Sequence, residues 1–178
     1  MDGIVEAALR KWPNVPACRG WLALSARGDW YLRDEAAQAA GPFPRSMGSL
    51  IRHVGLRDFI GRNYACDASG WWYFQNGPQR VYVELESAPW VWRLLGGAGE
   101  VAMESHTGVA AHFESAWMDE HGHLFVATEL GLGRVHSQDM HRAAEAVDRA
   151  TWRVSASTAA ALAARFGYVL SPAAAAPR

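Results

Sequence analysis

Six of the seven histidines lie in one third of the chain, and imidazole is a common zinc ligand and proton carrier. His121 and His123 are two residues apart, so a strand would direct both rings to one side. An acidic neighbour such as Asp119 could complete a ligand set, which makes a metal-dependent hydrolase the alternative function. The histidine cluster comprises His106, His112, His121, His123, His136 and His141.

A second interpretation places these histidines in an exposed turn and a helix cap. Gly122 between His121 and His123 predicts a hairpin turn. His136 and His141 are five residues apart, off the i, i+4 spacing that aligns two ligands on a helix. The chain has no HExxH or CxxC motif. We therefore predict no metal and no cofactor.

Aromatic and arginine side chains form the other candidate site. Trp90 and Trp92 alternate and point to one side of a predicted strand, with Arg80 and Arg134 on other strands. Such a surface grips a planar or anionic small molecule by stacking and charge-assisted hydrogen bonds. A dimer interface and a tryptophan core are the other interpretations. The predicted ligand-binding residues are Arg80, Trp90, Trp92 and Arg134.

Other enzyme chemistries find little support. Glu84 and Glu86 share a strand face, but a glycosidase needs two carboxyl groups facing each other across a cleft, and alternating acids also protect an edge strand. The chain has no Gly-x-Ser-x-Gly nucleophile motif and no glycine-rich phosphate loop ending in Lys-Ser/Thr. The sequence favours a non-enzymatic module that binds a small ligand or a protein partner, with no catalytic residue.

The amino-acid composition narrows the classes of binding partner. The 178 residues carry 17 basic and 18 acidic side chains and no basic block, which argues against nucleic acid. No apolar run approaches the ~20 residues that span a bilayer, so no membrane partner is predicted. The first residues lack a secretory signal, which predicts a cytoplasmic protein with Cys18 and Cys66 reduced. A small molecule or a protein is the expected partner, and a homodimer is the alternative.

The elements that position these residues include a recurrent cassette, in which a glycine opens an aromatic strand. Its recurrence predicts a supersecondary unit used more than once. The cassette occurs as Gly28-Asp29-Trp30-Tyr31, Gly70-Trp71-Trp72-Tyr73 and Gly122-His123-Leu124-Phe125.

The apolar periodicity predicts an α+β fold of two related β-meander-plus-helix units with antiparallel, aromatic-rich sheets. The first unit is expected over residues 1–95, the second over 96–170, and a disordered tail over 171–178. Gly96, Gly97 and Gly99 mark the boundary between the units. Helices are predicted over Ser46–Arg62, Ser137–Val147 and Ser155–Phe166.

Several short motifs together resemble a family of uncharacterised bacterial domains of unknown function. The resemblance covers roughly residues 12 to 148, and this chain has Trp90 where a relative has Phe. It implies an α+β fold with a repeated motif and a signalling or ligand-binding role, and it implies no catalytic residue. The motifs are Cys18-x-Gly20, Gly28-Asp29-Trp30-Tyr31, Asp67-x-x-Gly70-x-Trp72-Tyr73, Arg80-Val81-Tyr82-Val83-Glu84 and Ala88-Pro89-Trp90.

Overall fold

Two β-sheets with flanking helices make up the chain, which confirms the predicted α+β class. The computed structural model describes residues 1–96 and 101–175, so most of the predicted glycine boundary, from Gly97 to Gly99, lies outside the described residues. The chain divides into two units. Unit 1 consists of Met1–Ser25, Asp29–Glu86 and the described residues from Tyr168 onward, and unit 2 of Ala26–Gly28 and the described residues of Ser87–Gly167.

The elements are short, and no helix in either described range is long and apolar enough to cross a membrane. Unit 1 contains α1 Gly3–Lys11, β1 Cys18–Leu24, β2 Trp30–Leu32, α2 Glu35–Ala40, β3 Ser49–Leu50, α3 Val54–Arg62, β4 Tyr64–Cys66, β5 Trp72–Asn76, β6 Gln79–Leu85 and α6 Pro172–Ala175. Unit 2 contains β7 Trp90–Leu95, β8 Ala102–Ser105, β9 Ala110–Ala111, β10 Ser115–Met118, β11 Leu124–Thr128, β12 Gly131–Val135, a 3-10 turn Ser137–Asp139, α4 Met140–Asp148, β13 Val154–Ala156 and α5 Ala159–Phe166.

The two sheets share one topology. The strand order is β4-β5-β6-β1-β2-β3 in unit 1 and β10-β11-β12-β7-β8-β9 in unit 2, where β13 adds a seventh strand beside β10. Each pair of neighbouring strands in unit 1 has the same relative direction as the corresponding pair in unit 2. One of these corresponding pairs is parallel, which is β6 with β1 in unit 1 and β12 with β7 in unit 2. The sheets are therefore mixed rather than purely antiparallel, and the two units are similar.

The registers of the two meanders also correspond. Tyr73 pairs with Tyr82 in unit 1, and Phe125 pairs with Arg134 in unit 2. Phe125 lies 52 positions after Tyr73, and Arg134 lies 52 positions after Tyr82. The same offset relates every residue pair of β5 and β6 to a pair of β11 and β12, so counterparts can be assigned residue by residue.

The predicted cassette does not coincide with this structural correspondence. The copies that begin at Gly70 and Gly122 open the corresponding strands β5 and β11. The copy that begins at Gly28 opens β2, whose counterpart is β8. A glycine turn before an aromatic strand is common in hairpins, so the first copy can arise without duplication. The threefold sequence repeat is therefore not confirmed.

The helix predicted over Ser46–Arg62 is wrong in its first half. Gly48 adopts a left-handed backbone with φ of 84°, and Ser49–Leu50 pairs with β2 as strand β3. The helix begins at Val54, after Nδ1 of His53 accepts a backbone N–H from the first turn. The apolar spacing of this segment thus reflects a strand followed by a helix.

The helix predicted over Ser155–Phe166 also starts late. Ser155 belongs to β13, which pairs in parallel with β10. The hydroxyl of Thr158 accepts the N–H of Ala161 at 3.1 Å and begins the helix there. Gly167, at φ of 65°, ends it as predicted.

The end of the described chain returns to unit 1. The N–H of Leu85 donates to the carbonyl of Leu170 at 2.8 Å. The buried carboxylate of Glu84 accepts the hydroxyl of Ser171 and, at 3.0 Å, the N–H of Ala173. These bonds order helix α6, which differs from the disordered tail expected there, and residues 176–178 lie outside the described chain.

Glu84 lies on a central strand. Strand β6 has β1 on one side and β5 on the other, so the interpretation of Glu84 and Glu86 as edge protection is wrong. A buried carboxylate requires hydrogen-bond partners, and the C-terminal segment supplies them.

The buried carboxylate of Asp139 joins helix and sheet in unit 2 through ion pairs with two partly exposed arginines. Asp139 accepts a bond from Nε of Arg93 at 2.6 Å, from the N–H of Leu94 and from Arg142. Burial opposes ionisation of Asp139, but the bonds from Arg93 and from the N–H of Leu94 outweigh it and lower the pKa of the carboxyl group below its ordinary value. Asp139 therefore ties the start of α4 to β7.

Candidate functional site

Strand β6 presents two different surfaces of the unit 1 sheet. Successive residues of a strand point to opposite faces, so Arg80 and Tyr82 face away from Val81. On the Arg80 side, guanidinium groups lie over aromatic rings. We call this set the arginine–aromatic cluster, and its members are Arg19, Asp67, Trp71, Tyr73, Arg80 and Tyr82.

Arg80 is held against an aromatic ring. Its guanidinium carbon lies 4.1 Å from the centroid of the Tyr73 ring, and one terminal nitrogen lies 3.9 Å from Oδ2 of Asp67. Partial burial opposes its charge, but hydrogen bonding to Tyr82 and the neighbouring acidic groups raise the pKa of Arg80 above its ordinary value. Arg80 is therefore a permanent cation on a fixed platform.

Asp67 neutralises this positive charge only in part. Its Oδ1 accepts the N–H groups of Ser69 and Trp71 at 2.9 and 3.1 Å. Its Oδ2 accepts the hydroxyl of Tyr82 at 3.0 Å. Because both oxygens already have closer donors, the 3.9 Å approach to Arg80 is a loose ion pair.

Arg19 stacks on the same aromatic group. Its guanidinium carbon lies 5.2 Å from the Trp71 ring centroid and 5.0 Å from that of Tyr82. These two rings meet edge to face, with centroids 5.3 Å apart. Within residues 1–96 and 101–175, Arg19 forms no ion pair with a carboxylate at 4.0 Å or less. The cluster thus carries two guanidinium groups and one carboxylate.

The other three residues predicted for the ligand site belong to unit 2. Trp90 and Trp92 are buried, with their rings stacked at 6.0 Å and 18°. Their indole N–H groups donate to the carbonyls of Leu130 and Val126 at 2.8 and 2.9 Å. Both tryptophans are core residues here, which was one of the three interpretations. Arg134 lies half-buried on the adjacent strand.

The four predicted residues therefore do not form one set within a unit, since Arg80 lies in unit 1 and the others in unit 2. Their shared role in ligand binding stays a prediction. Sequence reasoning missed Arg19, Trp71 and Tyr73 as companions of Arg80. Parallel pairing of β1 with β6 brings Arg19 to this surface, and sequence distance does not reveal that pairing.

The opposite face of the unit 1 sheet carries an apolar groove of about 510 Å³, which we call the unit 1 groove. Three of its side chains are large, apolar and still exposed: Trp21 at 38%, Leu32 at 51% and Leu56 at 41%. The polar side chains at its edge are Asn76 and Gln79. The remaining lining residues are Cys18, Leu22, Ile51, Ile60, Phe74 and Val81.

The two thiols are free, as expected for reduced cysteines. Cys18 lies in the unit 1 groove, and Cys66 is exposed on β4. Partial burial raises the pKa of both thiols, so both are mainly protonated at neutral pH.

The predicted histidine cluster does not assemble. The described part of the chain contains no group of three His, Cys, Asp or Glu side chains that could hold a metal ion. His112 contacts Glu129, His123 contacts Asp119, and His141 contacts the carbonyl of Gln138. Nδ1 of His136 accepts the N–H of Gln138. His121 is exposed in the turn beside His123, and the His106 ring lies 5.8 Å from the Trp90 ring, tilted by 53°.

His106 has the largest shift among these histidines. Burial lowers the pKa of His106 to about 3. Its Nε2 is shielded from solvent, and its Nδ1 accepts the N–H of Val91 at 3.3 Å. A protonated Nδ1 could not accept this bond, so His106 is a neutral structural side chain near neutral pH.

The geometry defines a two-unit α+β protein in which both units have the same sheet topology. The chain matches the family model DUF2944, described as "Protein of unknown function (DUF2946)", over residues 1–173 and belongs to that family. No curated protein matches the chain.

Two solved structures are similar in fold. A DUF1285 family protein from Silicibacter pomeroyi DSS-3 is 14% identical, with a TM-score of 0.50 over 82% of this chain and 84% of that chain. A DUF1285 family protein from Shewanella baltica OS155 is 13% identical, with a TM-score of 0.47 over 70% of this chain and 91% of that chain. At 14% identity, the first similarity shows the fold alone.

Proposed function

We propose that the protein is a non-enzymatic binding module, and that its arginine–aromatic cluster recognises a carboxylate or phosphate group on a small planar ligand. One observation carries this proposal. Arg19 stacks on Trp71 and Tyr82 and forms no ion pair within the described chain. A guanidinium held this way has its plane fixed while its N–H groups remain available to an oxyanion.

The surrounding charges favour the same ligand chemistry. Asp67 already accepts hydrogen bonds at both oxygens, so it competes weakly for Arg19 and Arg80. The ring of Trp71 is half-buried and can stack on a planar ligand. A ligand with a flat ring and one anionic group would use both features. Such a binding module suits the regulatory or signalling role that the resemblance implies.

Titration calorimetry with phenyl phosphate, benzoate and neutral benzamide tests the proposal. The two anions should bind and benzamide should not. Hydrogen bonds to charged groups contribute about 1.5–3 kcal/mol, so Arg19→Ala should weaken anion binding roughly ten- to a hundredfold. Arg19→Lys keeps the charge but loses the planar guanidinium, so its anion affinity should lie between those of the wild type and Arg19→Ala.

Arg10→Ala removes an exposed arginine of the same unit and is the matched control. It should leave affinity within about twofold, since an exposed charge that is not part of the cluster is screened by salt. Equal binding of benzoate and benzamide, or equal losses in the Arg10 and Arg19 variants, would show that the cluster does not recognise anions.

A further inference from the structure

The unit 1 groove has a counterpart in unit 2. Cys18 pairs with Val81 in the parallel pair of unit 1, and Trp90 pairs with Gly133 in the parallel pair of unit 2. Strand β1 then has a register shift with two extra residues, after which Leu22 pairs with Val83, as Trp92 pairs with Val135 in unit 2. The counterparts of Cys18, Leu22 and Val81 are therefore Trp90, Trp92 and Gly133.

In unit 2, two indole rings occupy this place. The Trp92 ring reaches across Gly133, where an added Cβ would lie 2.3 Å from its Nε1, and donates to the Val126 carbonyl. The Trp90 ring donates to the carbonyl of Leu130. By the 52-residue offset, Val126 corresponds to Phe74 and Leu130 to Pro78. Phe74 lines the unit 1 groove, and Pro78 precedes its lining residue Gln79.

In unit 1, smaller side chains leave much of that volume open. Val81 replaces Gly133 and so takes part of the space that the Trp92 ring fills in unit 2. Leu22 replaces Trp92 itself. Cys18 replaces Trp90 and is far too short to fill the place of an indole ring. The unit 1 groove of about 510 Å³ is within the range that small-molecule sites occupy.

We propose that the unit 1 groove binds a small, neutral, planar aromatic molecule of about the size of indole, with one N–H or O–H donor. The corresponding position of unit 2 supports this choice of ligand, because the stacked indole rings of Trp90 and Trp92 lie there. The ligand's donor would bond to the Pro78 carbonyl or to the side chain of Asn76 or Gln79. Asn76 and Gln79 line the groove.

Binding would also cover the apolar surface that the groove exposes. Leu32 and Leu56 are about half exposed, and a flat ring placed above Cys18 would remove part of that area from water. The site is independent of the arginine–aromatic cluster, because Val81 and Arg80 are adjacent in β6 and face opposite sides of the sheet. Failure of one proposal therefore leaves the other intact.

The two thiols provide an internally controlled test. Iodoacetamide alkylation of the intact protein is followed by peptide mass spectrometry with and without indole. At an indole concentration of ten times the dissociation constant, roughly 90% of sites are occupied, so Cys18 should react about tenfold more slowly. Cys66 lies outside the groove and should react at an unchanged rate. Equal rates at Cys18 with and without indole would overturn the proposal.

Variants test the same site by a second readout, the fluorine NMR line width of 5-fluoroindole. Cys18→Trp installs the residue that unit 2 uses and should abolish binding by filling the groove. Leu56→Gln alters an exposed lining residue, so it should fold and weaken binding severalfold. Leu95→Gln makes the same change at a similarly exposed position of unit 2 and should have no effect.

If Leu56→Gln and Leu95→Gln change the affinity equally, the groove is not the indole site. Slower alkylation of Cys18 with rising protein concentration, without any indole, would assign the groove to a second copy of the chain and overturn the small-molecule proposal.

Discussion

Asp67 and Asp119 play the same part in two turns that lie at corresponding places in the two sheets. In each turn, Oδ1 accepts the backbone N–H groups two and four residues later, at distances between 2.7 and 3.1 Å. The N–H of the glycine three residues later, Gly70 or Gly122, donates to the aspartate carbonyl. Both glycines have positive φ, of 78° and 76°. This geometry explains why an aspartate stands three residues before the glycine in the turns that precede β5 and β11.

Asp119→Ala should destabilise the protein by about 2 kcal/mol, because it removes a charged acceptor from two backbone N–H groups. Urea denaturation measures the free energy of unfolding. Asp58→Ala is the control, since Asp58 is exposed on α3. Equal destabilisation by the two substitutions would contradict the role of the turn.

The same aspartate predicts an acid effect. Burial raises the pKa of Asp119, but bonds from the backbone and ring of His123 and from the backbone of His121 outweigh burial and lower it. A lowered pKa in the fold gives stability that is present above the unfolded value of about 3.8 and is lost as the pH falls below it. The difference in unfolding free energy between wild type and Asp119→Asn should therefore shrink as the pH drops from 5 to 3.

Gly133→Ala should destabilise unit 2 by about 1–3 kcal/mol, the usual cost of overpacking. The new Cβ would lie 2.3 Å from Nε1 of Trp92 and 2.7 Å from Cβ of Trp90. Gly3→Ala is the control, because nothing lies within 4 Å of its added Cβ at the start of α1. Differential scanning calorimetry should show a lower Tm for Gly133→Ala but not for Gly3→Ala.

His106 should make the fold sensitive to mild acid. It stays neutral in the folded protein because its pKa is about 3, whereas an unfolded histidine takes up a proton near pH 6.5. The unfolded state therefore binds more protons below pH 6.5, and the free energy of unfolding falls by about 1.4 kcal/mol per pH unit. His106→Gln should flatten this slope between pH 6.5 and 5. An unchanged slope would show that His106 is not the source of the acid sensitivity.

Arg33 should not tolerate replacement by lysine. The buried guanidinium donates to four backbone carbonyls, including those of Gly20 at 3.2 Å and Gly41 at 2.6 Å. A lysine has one nitrogen and cannot reach this set, so Arg33→Lys should lose about 2–3 kcal/mol of stability. Arg45→Lys, at an exposed site nearby in sequence, should lose almost nothing in the same denaturation experiment.

Aromatic alternation after a glycine turn can predict a strand because it acts within a few residues. The cassette that begins at Gly70 predicts an aromatic strand, and β5 begins two residues later, at Trp72. The helix over Ser46–Arg62 failed because its apolar residues serve a strand and a helix in succession. Local spacing could not separate the two, since Ser49–Leu50 becomes a strand only by pairing with Tyr31–Leu32.

The sites were harder to predict because they depend on residues distant in sequence. Alternation placed Trp90 and Trp92 on one face, but whether that face is covered depends on Gly133, in a different strand. The groove was missed for the converse reason. The short side chain of Cys18 indicates a groove only when it is compared with Trp90, its counterpart in unit 2.

Unit 1 uses residues from both ends of the described chain, and this has a consequence for its biosynthesis. A ribosome that has made Glu84 has not yet made Leu170, Ser171 or Ala173, which bond to Glu84 and its neighbour Leu85. At about 5–20 residues per second, the delay is roughly 4–17 seconds. During that time the nascent chain must keep an unpartnered carboxylate in water. The first unit to begin translation is therefore the last to complete its folding.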